Sequence, residues 1–407
     1  MKKILSALVL ALTALCLFSC GNWAVEDNVP YENPQADDSV LYTPSSLSSL
    51  YSNANKTVTF IPGKILFKQG NNWMYYNIST DECHRFCFDP SCNHTTDKCL
   101  SVKLGLVKYM TYCNGELYAA YPDRTMGDDD MSGIAKISLD ASGMEIVQRC
   151  ATRNAIRLTS GGGYLYLQEL VGSRTFIYCY NTATGEFSQL KGKSDKFYSF
   201  FMATEDKIIY QYDKEPNLYC ADHGMINEQE LPISGGASIY SNNKLYYNEP
   251  VFAGDNTTVL GSQILCYNME TGKTDILYDH SEMVNGVWCV TDKYLYYLKK
   301  NENSVYSDAT KSDVLCQGIL NRLDLETGEF ETVFESPYLD FSSVFSVNGK
   351  LYAETKCYTK STWFKGYAVK QYIYGELADF DGNGENDLEI KFWEWDKSET
   401  PNIFDIY

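Results

Sequence analysis

The segments NNKLYY (242–247) and NMETGK (268–273) contain the pattern that decides the fold. An Asn-Asn dipeptide tolerates positive φ, so the first segment predicts a tight turn leading into a Tyr-rich strand. The Thr-Gly pair of the second segment predicts another turn, placed between two further strands. Together the two segments predict an antiparallel, hairpin-built unit.

The first of these elements occurs seven times, at start-to-start spacings of 37 to 56 residues. Its copies are PGKILF (62–67), NGELYA (114–119), GGYLYL (162–167), EDKIIY (205–210), NNKLYY (242–247), DKYLYY (292–297) and NGKLYA (348–353). The second element follows most of them, as NISTDE (77–82), NTATGE (181–186), NMETGK (268–273) and DLETGE (324–329). Each unit therefore predicts an up-and-down sheet of about four strands, named A to D in chain order.

A lone sheet of four strands cannot cover both of its faces, so neighbouring units must pack face to face. Units of this length that pack around an axis are the blades of a β-propeller. We predict an all-β fold with one β-propeller over residues 56–407, of seven blades, with six or eight blades or a stacked sandwich as alternatives. The 33 tyrosines fit this prediction because broad amphipathic rings fill pleated faces.

The Tyr-rich strands and Asp/Asn-x-x-Thr-Gly turns resemble those of uncharacterised bacterial β-propeller lipoproteins over almost all of the chain after its leader. The resemblance implies a propeller on an exported, lipid-anchored protein. These short motifs identify the architecture and say little about activity.

The N-terminus predicts export. Lys2 and Lys3 form a basic region, and Ile4–Leu17 is apolar but too short for a comfortable membrane span. Ser19-Cys20 resembles the lipobox of bacterial lipoproteins, in which the cysteine is acylated, for example with palmitate, and becomes the new N-terminus. An ordinary signal peptide followed by an unmodified cysteine is the alternative.

This interpretation divides the chain into three parts. Residues 1–19 are predicted to be the signal peptide, and residues 20–55 an acylated cysteine followed by a polar tether. The propeller would then lie at the outer surface of the cell membrane, or at the outer membrane of a cell that has one, held by the lipid alone.

The charge of the chain limits its partners. Thirty-four basic and 53 acidic residues give a net charge of −19. Because such a surface repels phosphate backbones, nucleic acid is excluded as an expected partner. Calcium, cationic peptides and neutral sugars fit better, and a monomer is expected.

Long insertions are predicted on one face of the propeller. The loops between strands B and C point to the same end of a blade as the crossovers from strand D to the next strand A. The B–C insertions are 122–133, 249–262, 300–313 and 358–366. Loops on a rigid scaffold commonly bind ligands, so we expect a binding face there, although surface loops also tolerate length without a function. Candidate binding residues are Asp123, Asp128, Asp129, Asp130, Asp255, Tyr306 and Trp363.

The segment CHRFCFDPSCNHTTDKC (83–99) is the richest in potential ligands. Cys87, Cys92, His94 and Cys99 form a ligand set that zinc accepts. Cys83 and His84 would be spare ligands, or Cys83 would cap strand D of the first blade. Disulfide bonds suit an exported loop with little core and are slightly favoured over zinc, although four cysteines allow three pairings. Free thiols are the third possibility. The lipoproteins that this chain resembles carry a similar string of Cys, Asp-Pro, Cys, His and Cys near the first blade, but not always the extra cysteine that Cys83 represents.

Three other cysteines are predicted to be packing residues. Cys179, Cys220 and Cys266 occupy matching positions on strand C of successive blades, a position that Tyr75, Lys136 and Arg322 fill elsewhere. Equivalent positions in different blades are too far apart for a disulfide, which needs α-carbons within about 7 Å.

The segment ADFDGNGENDLEI (378–390) predicts a calcium loop in the C–D turn of the last blade. Its expected ligands are Asp379, Asp381, Asn383, the backbone carbonyl of Glu385, and Asp387, with Gly384 at the sharp turn. Position 12 is Ile390, where the helical calcium motif has a bidentate Glu, so the loop resembles the calcium hairpins of integrin-type propellers. A polar turn without metal is the alternative.

No catalytic residue is predicted, because the chain has no phosphate loop, dinucleotide fingerprint or serine elbow. The first hypothesis is a lipid-anchored binding or scaffold module for a glycan, peptide or envelope protein. A carbohydrate-active enzyme would require a pair of carboxyl groups in the axial mouth. An assembly or sensory partner of another envelope protein would require a contiguous apolar patch on one rim.

Overall fold

The computed structural model describes residues 58–393, apart from internal gaps. These gaps are 70–71, 88–91, 93–98, 108, 124–130, 153–154, 172–173, 191–197, 235–237, 255–257, 281–283, 300–303, 308–311, 316–318, 337–338, 361–366 and 381–387. The described part is all-β, with seven four-stranded antiparallel blades that form a β-propeller, as the repeats predicted.

Each blade is a continuous piece of chain whose strands follow one another outward from A to D. Blade 1 comprises β1 (Val58–Ile61), β2 (Lys64–Gln69), β3 (Asn72–Asn77) and β4 (Glu82–Arg85), and blade 2 comprises β5 (Tyr109–Cys113), β6 (Glu116–Asp123), β7 (Met131–Ile137) and β8 (Met144–Thr152). Blade 3 comprises β9 (Ala155–Gly161), β10 (Tyr164–Val171), β11 (Arg174–Asn181) and β12 (Phe187–Gln189), and blade 4 comprises β13 (Tyr198–Ala203), β14 (Ile208–Tyr212), β15 (Asn217–Asp222) and β16 (Ile226–Ser234). Blade 5 comprises β17 (Ser238–Ser241), β18 (Lys244–Phe252), β19 (Val259–Asn268) and β20 (Lys273–His280). Blade 6 comprises β21 (Val284–Val290), β22 (Tyr294–Lys299), β25 (Ile319–Asp324) and β26 (Phe330–Glu335). Blade 7 comprises β27 (Leu339–Val347), β28 (Lys350–Lys360), β29 (Tyr367–Ala378) and β30 (Glu389–Phe392). Two further strands, β23 (Ser304–Ser307) and β24 (Ser312–Leu315), form a hairpin inserted between strands B and C of blade 6.

All seven copies of the first repeat element form strand B with its preceding turn. In blade 5 the turn residues Asn242 and Asn243 have φ of 50° and 58°, as the Asn-Asn pair predicted. The Thr-Gly element also lies where it was predicted: Asn181, Asn268 and Asp324 end strand C, and their side chains accept backbone N–H groups within the turn to strand D. The repeats therefore set the register of the sheets.

The hydrophobic core is divided among the interfaces between blades. Seven clusters of buried side chains each join two neighbouring blades, and together they complete a ring. The matching strand C positions confirm the repeat alignment, because Tyr75 pairs with Leu66 while Cys266 pairs with Tyr246 at the same register. Cys179, Cys220 and Cys266 are all buried, each in a different cluster, as predicted for packing residues.

Among the described residues, blade 7 closes against blade 1 without a strand shared between their sheets. Phe60, Phe67 and Tyr76 of blade 1 pack with Tyr352, Tyr374 and Trp393 of blade 7 in one cluster. The Tyr374 hydroxyl also lies 3.4 Å from the Lys68 carbonyl oxygen. No described strand from one end of the chain joins the sheet at the other end, so aromatic burial carries the closure.

The two faces of the ring differ in loop length. On one face the A–B turns are tight, and the C–D turns are short except for 379–388. The other face bears the B–C loops and the D–A crossovers, as predicted. Its longest crossover, from blade 1 to blade 2, contains α1 (Leu100–Lys103) and a 3-10 turn (Leu104–Leu106). None of the helices in the described part of the chain has the length and apolar character needed to cross a membrane.

Candidate metal centre and loop-bearing face

The crossover after blade 1 is held at both ends by blade 1 itself. The Phe86 backbone N–H donates to the Trp73 carbonyl oxygen at 2.9 Å, and the buried Phe86 ring packs in the core between blades 1 and 2. At the far end, the Trp73 indole N–H donates to the Val107 carbonyl oxygen at 3.1 Å, and the Lys68 ammonium donates to the same oxygen at 2.7 Å. The crossover therefore starts and ends at fixed points near the B–C end of the blade.

Three cysteines converge in this anchored crossover. The Sγ atoms of Cys87, Cys92 and Cys99 all lie within 4.8 Å of one another. Cys87 follows β4, and Cys99 immediately precedes α1 and is 3% exposed, whereas Cys87 and Cys92 are half-buried. All three belong to the cysteine-rich segment that the sequence singled out, and they lie at the loop-bearing end of blade 1.

Cys83 lies apart from the other three cysteines of its segment. It pairs with Tyr76 across strands β3 and β4, and it packs against the core between blades 1 and 7. Burial raises the pKa of its thiol far above the usual range. Cys83 is therefore a packing residue of the ring closure, and His94, the predicted fourth ligand, lies outside the described residues.

The converging thiols offer soft ligands to one ion. No two described cysteine sulfurs lie at disulfide distance. In the core, burial raises the pKa of Cys179 to about 11 and that of Cys113 to about 11. The triad differs from them in that two of its members reach the surface.

The predicted calcium loop lies where expected, between strands C and D of blade 7. Asp379 is half-buried just beyond β29, while the other predicted ligands, Asp381, Asn383, Glu385 and Asp387, lie outside the described residues. The Leu388 backbone N–H at the exit of the loop donates to the Val333 carbonyl oxygen of blade 6. The end of the loop is therefore fixed to the neighbouring blade.

Blades 5 to 7 carry raised arms on the loop-bearing face. Strand β18 runs to Phe252 and β28 to Lys360, against Gln69 in the equivalent strand of blade 1. At about 3.3 Å per residue, these strands extend roughly 10 and 16 Å beyond the blade 1 hairpin. The β23–β24 hairpin joins the extended part of β29 through a parallel bridge between Ser307 and Tyr367, which connects the arms of blades 6 and 7.

The tip of the blade 5 arm is apolar and open to solvent. Phe252 and Val259 pair across the hairpin and are 47% and 43% exposed, and the adjacent Leu260 is 57% exposed. The Ala253 backbone N–H donates to the Thr258 carbonyl oxygen at 2.8 Å and closes the tip. Sequence reasoning selected Asp255 in this loop and missed its apolar neighbours, although their spacing around a polar turn was visible.

The other predicted binding residues fall on positions without described side chains. Asp123 ends β6 and Tyr306 lies in β23, and only their backbones are described. Asp128, Asp129, Asp130, Asp255 and Trp363 lie outside the described residues. Their part in binding stays a prediction.

His223 has a role that the sequence did not reveal. It follows β15, and its Nδ1 atom lies 2.8 Å from the Tyr166 hydroxyl of blade 3, while Nε2 lies 3.0 Å from the Glu205 carbonyl oxygen. Its ring also stacks on Tyr164. His223 is thus a packing contact between blades 3 and 4.

Comparisons with solved structures find matches at low sequence identity. The β-propeller domain of the trilobed protease from Pyrococcus furiosus is 10% identical over 84% of this chain and 97% of that chain, with a TM-score of 0.48. A prolyl endopeptidase is 12% identical over 74% of this chain and 46% of that chain (TM-score 0.46), and YCF48 from Cyanidioschyzon merolae is 7% identical over 77% and 91% (TM-score 0.45). No protein-family profile matches, and no curated protein sequence matches.

Proposed function

We propose that this protein is a lipid-anchored, extracytoplasmic binding module that recognises a protein partner of the cell envelope through the arms of blades 5 to 7. The observation that carries the proposal is the exposed apolar tip formed by Phe252, Val259 and Leu260 on the loop-bearing face. Of the partners that the sequence allowed, a protein or peptide with an apolar segment fits this tip better than a glycan does.

Leaving such side chains exposed to water costs free energy that an interface would recover. Each large apolar side chain that moves from water into an interface contributes about 1.5–3 kcal/mol when it is fully buried. Aromatic residues are the commonest anchors of protein interfaces, and well-packed anchors dominate binding energy. Strands β18 and β19 present Phe252 and Val259 as a cross-strand pair, so the backbone at these two positions is already ordered before a partner binds.

The anchor belongs to the same proposal. The basic region, the apolar stretch and Ser19-Cys20 predict that acylated Cys20 holds the propeller at the membrane, and residues 20–55 would give it reach. Metabolic labelling with an alkyne palmitate tests this part: the full chain should carry the label, and Cys20→Ser should lose it. An unlabelled full chain would contradict the anchor.

Partner recognition can be tested by site-specific photo-crosslinking in the native cell. A photoreactive phenylalanine analogue at position 252 should form a discrete adduct with one envelope protein, and the same analogue at position 330 should not. Phe330 is the matched control because it is 53% exposed but lies on the outer strand of blade 6. The triple variant Phe252→Ser, Val259→Ser, Leu260→Ser should lose partner capture from a distant crosslinker on the same face.

Two outcomes would contradict the proposed partner. An adduct with lipid alone would assign the tip to the membrane surface. Equal crosslinking at positions 252 and 330 would show that the apolar tip has no selectivity.

A further inference from the structure

We propose that Cys87, Cys92 and Cys99 form a structural zinc site that fastens the crossover between blades 1 and 2. The inference goes beyond partner binding and is independent of it, since it rests on another part of the ring. Three sulfurs converge there, from cysteines that are 5 and 7 residues apart along an anchored loop.

The distances fit a common ion. Zinc bound by thiolates has Zn–S bonds of about 2.3 Å in tetrahedral geometry, which places the sulfurs ~3.8 Å apart. The three Sγ atoms lie within 4.8 Å of one another, so small rotations of the side chains bring them to that spacing. Soft thiolates favour zinc over calcium or magnesium, which prefer oxygen ligands.

The number of thiols favours a metal over a disulfide. A disulfide uses two sulfurs and would leave the third beside it without a covalent partner. Cys83, the fourth cysteine of the segment, packs in the core between blades 1 and 7 and is not in the triad. Three thiolates provide all but one of the ligands of a tetrahedral zinc, and the fourth position is open to another ligand.

An ion at this position would stabilise the crossover between blades 1 and 2. The crossover begins at Phe86 and ends at Val107, and its described secondary structure is one short helix and one 3-10 turn. The helical end of the crossover packs into the core between blades 1 and 2 through Leu100 and Leu104, so the triad lies between this buried end and the anchor at Phe86. An ion that joins Cys87 near its start to Cys99 before α1 closes the intervening loop, and because the unfolded chain has no such site, the binding free energy stabilises the folded crossover.

The test is metal analysis of the full chain, purified without chelators. We expect one zinc per chain, and Cys87→Ser, Cys92→Ser and Cys99→Ser should each lower bound zinc about tenfold or more. Cys83→Ser is the matched control: it removes a thiol of the same segment and should retain the zinc. Far-UV circular dichroism checks that each variant keeps its β-structure.

A second measurement keeps the test valid if a variant folds poorly. The wild-type chain, loaded with cobalt in place of zinc, should show a thiolate-to-cobalt charge-transfer band, and zinc should abolish it. Peptide mapping under non-reducing conditions that finds any triad cysteine in a disulfide would overturn the proposal. So would a metal-free chain whose three thiols are all alkylated, or a chain that holds iron or copper at this site.

Discussion

The indole ring of Trp393 in blade 7 stacks on the phenol ring of Tyr76 in blade 1, with ring centroids 4.3 Å apart and planes 10° from parallel. These two residues lie near opposite ends of the described chain. Trp393 is 3% exposed, and Tyr374 and Phe67 also pack against its ring. A ring that closes through side chains depends on such contacts, because no described strand is shared between its first and last blades.

Trp393→Ala should therefore lower the free energy of unfolding by about 3–5 kcal/mol, through lost burial and the cavity left behind. Phe252→Ala is the control, because it removes a large apolar side chain that is 47% exposed, and its effect should stay within about 1 kcal/mol. Urea denaturation followed by circular dichroism measures both. Equal urea midpoints for the two variants would show that the interface between blades 7 and 1, called the seam, does not depend on Trp393.

Position 162 requires glycine both for its positive φ and for its close packing against the next blade. Gly162 has φ of +55°, and a Cβ there would overlap the ring of His223 in the next blade. Gly63, in the equivalent turn of blade 1, has φ of +69° but no atom within 4 Å of the position of a Cβ. Both alanine variants carry the backbone cost of about 1–2 kcal/mol, and only Gly162→Ala adds a steric cost.

We expect Gly162→Ala to be the less stable of the two variants in thermal unfolding. His223→Ala in the Gly162→Ala background should restore part of the difference, because it removes the overlapping ring. If Gly63→Ala were equally damaging, backbone strain alone would explain both substitutions.

His223 should make stability depend on pH. Burial lowers the pKa of its imidazole below the ordinary value of 6.5 and outweighs the hydrogen bond to the Glu205 carbonyl, which raises it. Because that carbonyl can only accept, Nε2 carries the proton, and the neutral ring uses Nδ1 to accept from Tyr166. The unfolded chain therefore binds a proton at a higher pH than the folded chain does.

The resulting stability is fully present above about pH 6.5 and is lost as pH falls through the lower folded pKa. His223→Gln lacks this titration, so the excess stability of the wild type over the variant should shrink between about pH 7.5 and about pH 5. Urea midpoints at several pH values measure it. Parallel curves for the two proteins would show that His223 keeps its usual pKa in the fold.

The sequence predicted what local patterns control. Turn dipeptides that tolerate positive φ, such as Asn242-Asn243, fixed the start of each strand B, and the Thr-Gly turns fixed strands C and D. Because blades are built from consecutive strands, the register followed, including the shared position of Cys179, Cys220 and Cys266. The grouping of long loops on one face followed from strand alternation.

What the sequence could not predict depends on packing between blades. Cys83 is only 4 residues from Cys87, yet its pairing with Tyr76 directs it to the seam with blade 7. The partner of His223 is Tyr166, 57 residues earlier in the chain, and it is adjacent only because blades 3 and 4 pack face to face. Neither contact has a signal in the neighbouring residues.

Calcium binding at 379–387 stays a prediction of the sequence. If it occurs, the position of the loop in blade 7 predicts that it raises the stability of the folded protein. The loop joins β29 to β30, and Trp393 follows β30 directly, so an ordered loop would support the strand that brings Trp393 to the seam. A ligand that binds only the folded state stabilises it by about 2.7 kcal/mol at a hundredfold excess over its dissociation constant. Calcium should therefore raise the thermal midpoint of the wild type, and magnesium should do so much less.

Asp381→Asn should weaken this response by removing a charged ligand. Asp140→Asn is the matched control, because Asp140 lies in the C–D turn of blade 2 on the same face and accepts the Ser142 backbone N–H at 2.9 Å. Equilibrium dialysis should find one calcium per wild-type chain and per Asp140→Asn chain, and less for Asp381→Asn. If the wild type binds no calcium and a calcium chelator leaves its midpoint unchanged, 379–387 is a polar turn, and blade 7 is held in place by the Trp393 seam and the Leu388–Val333 hydrogen bond without the ion.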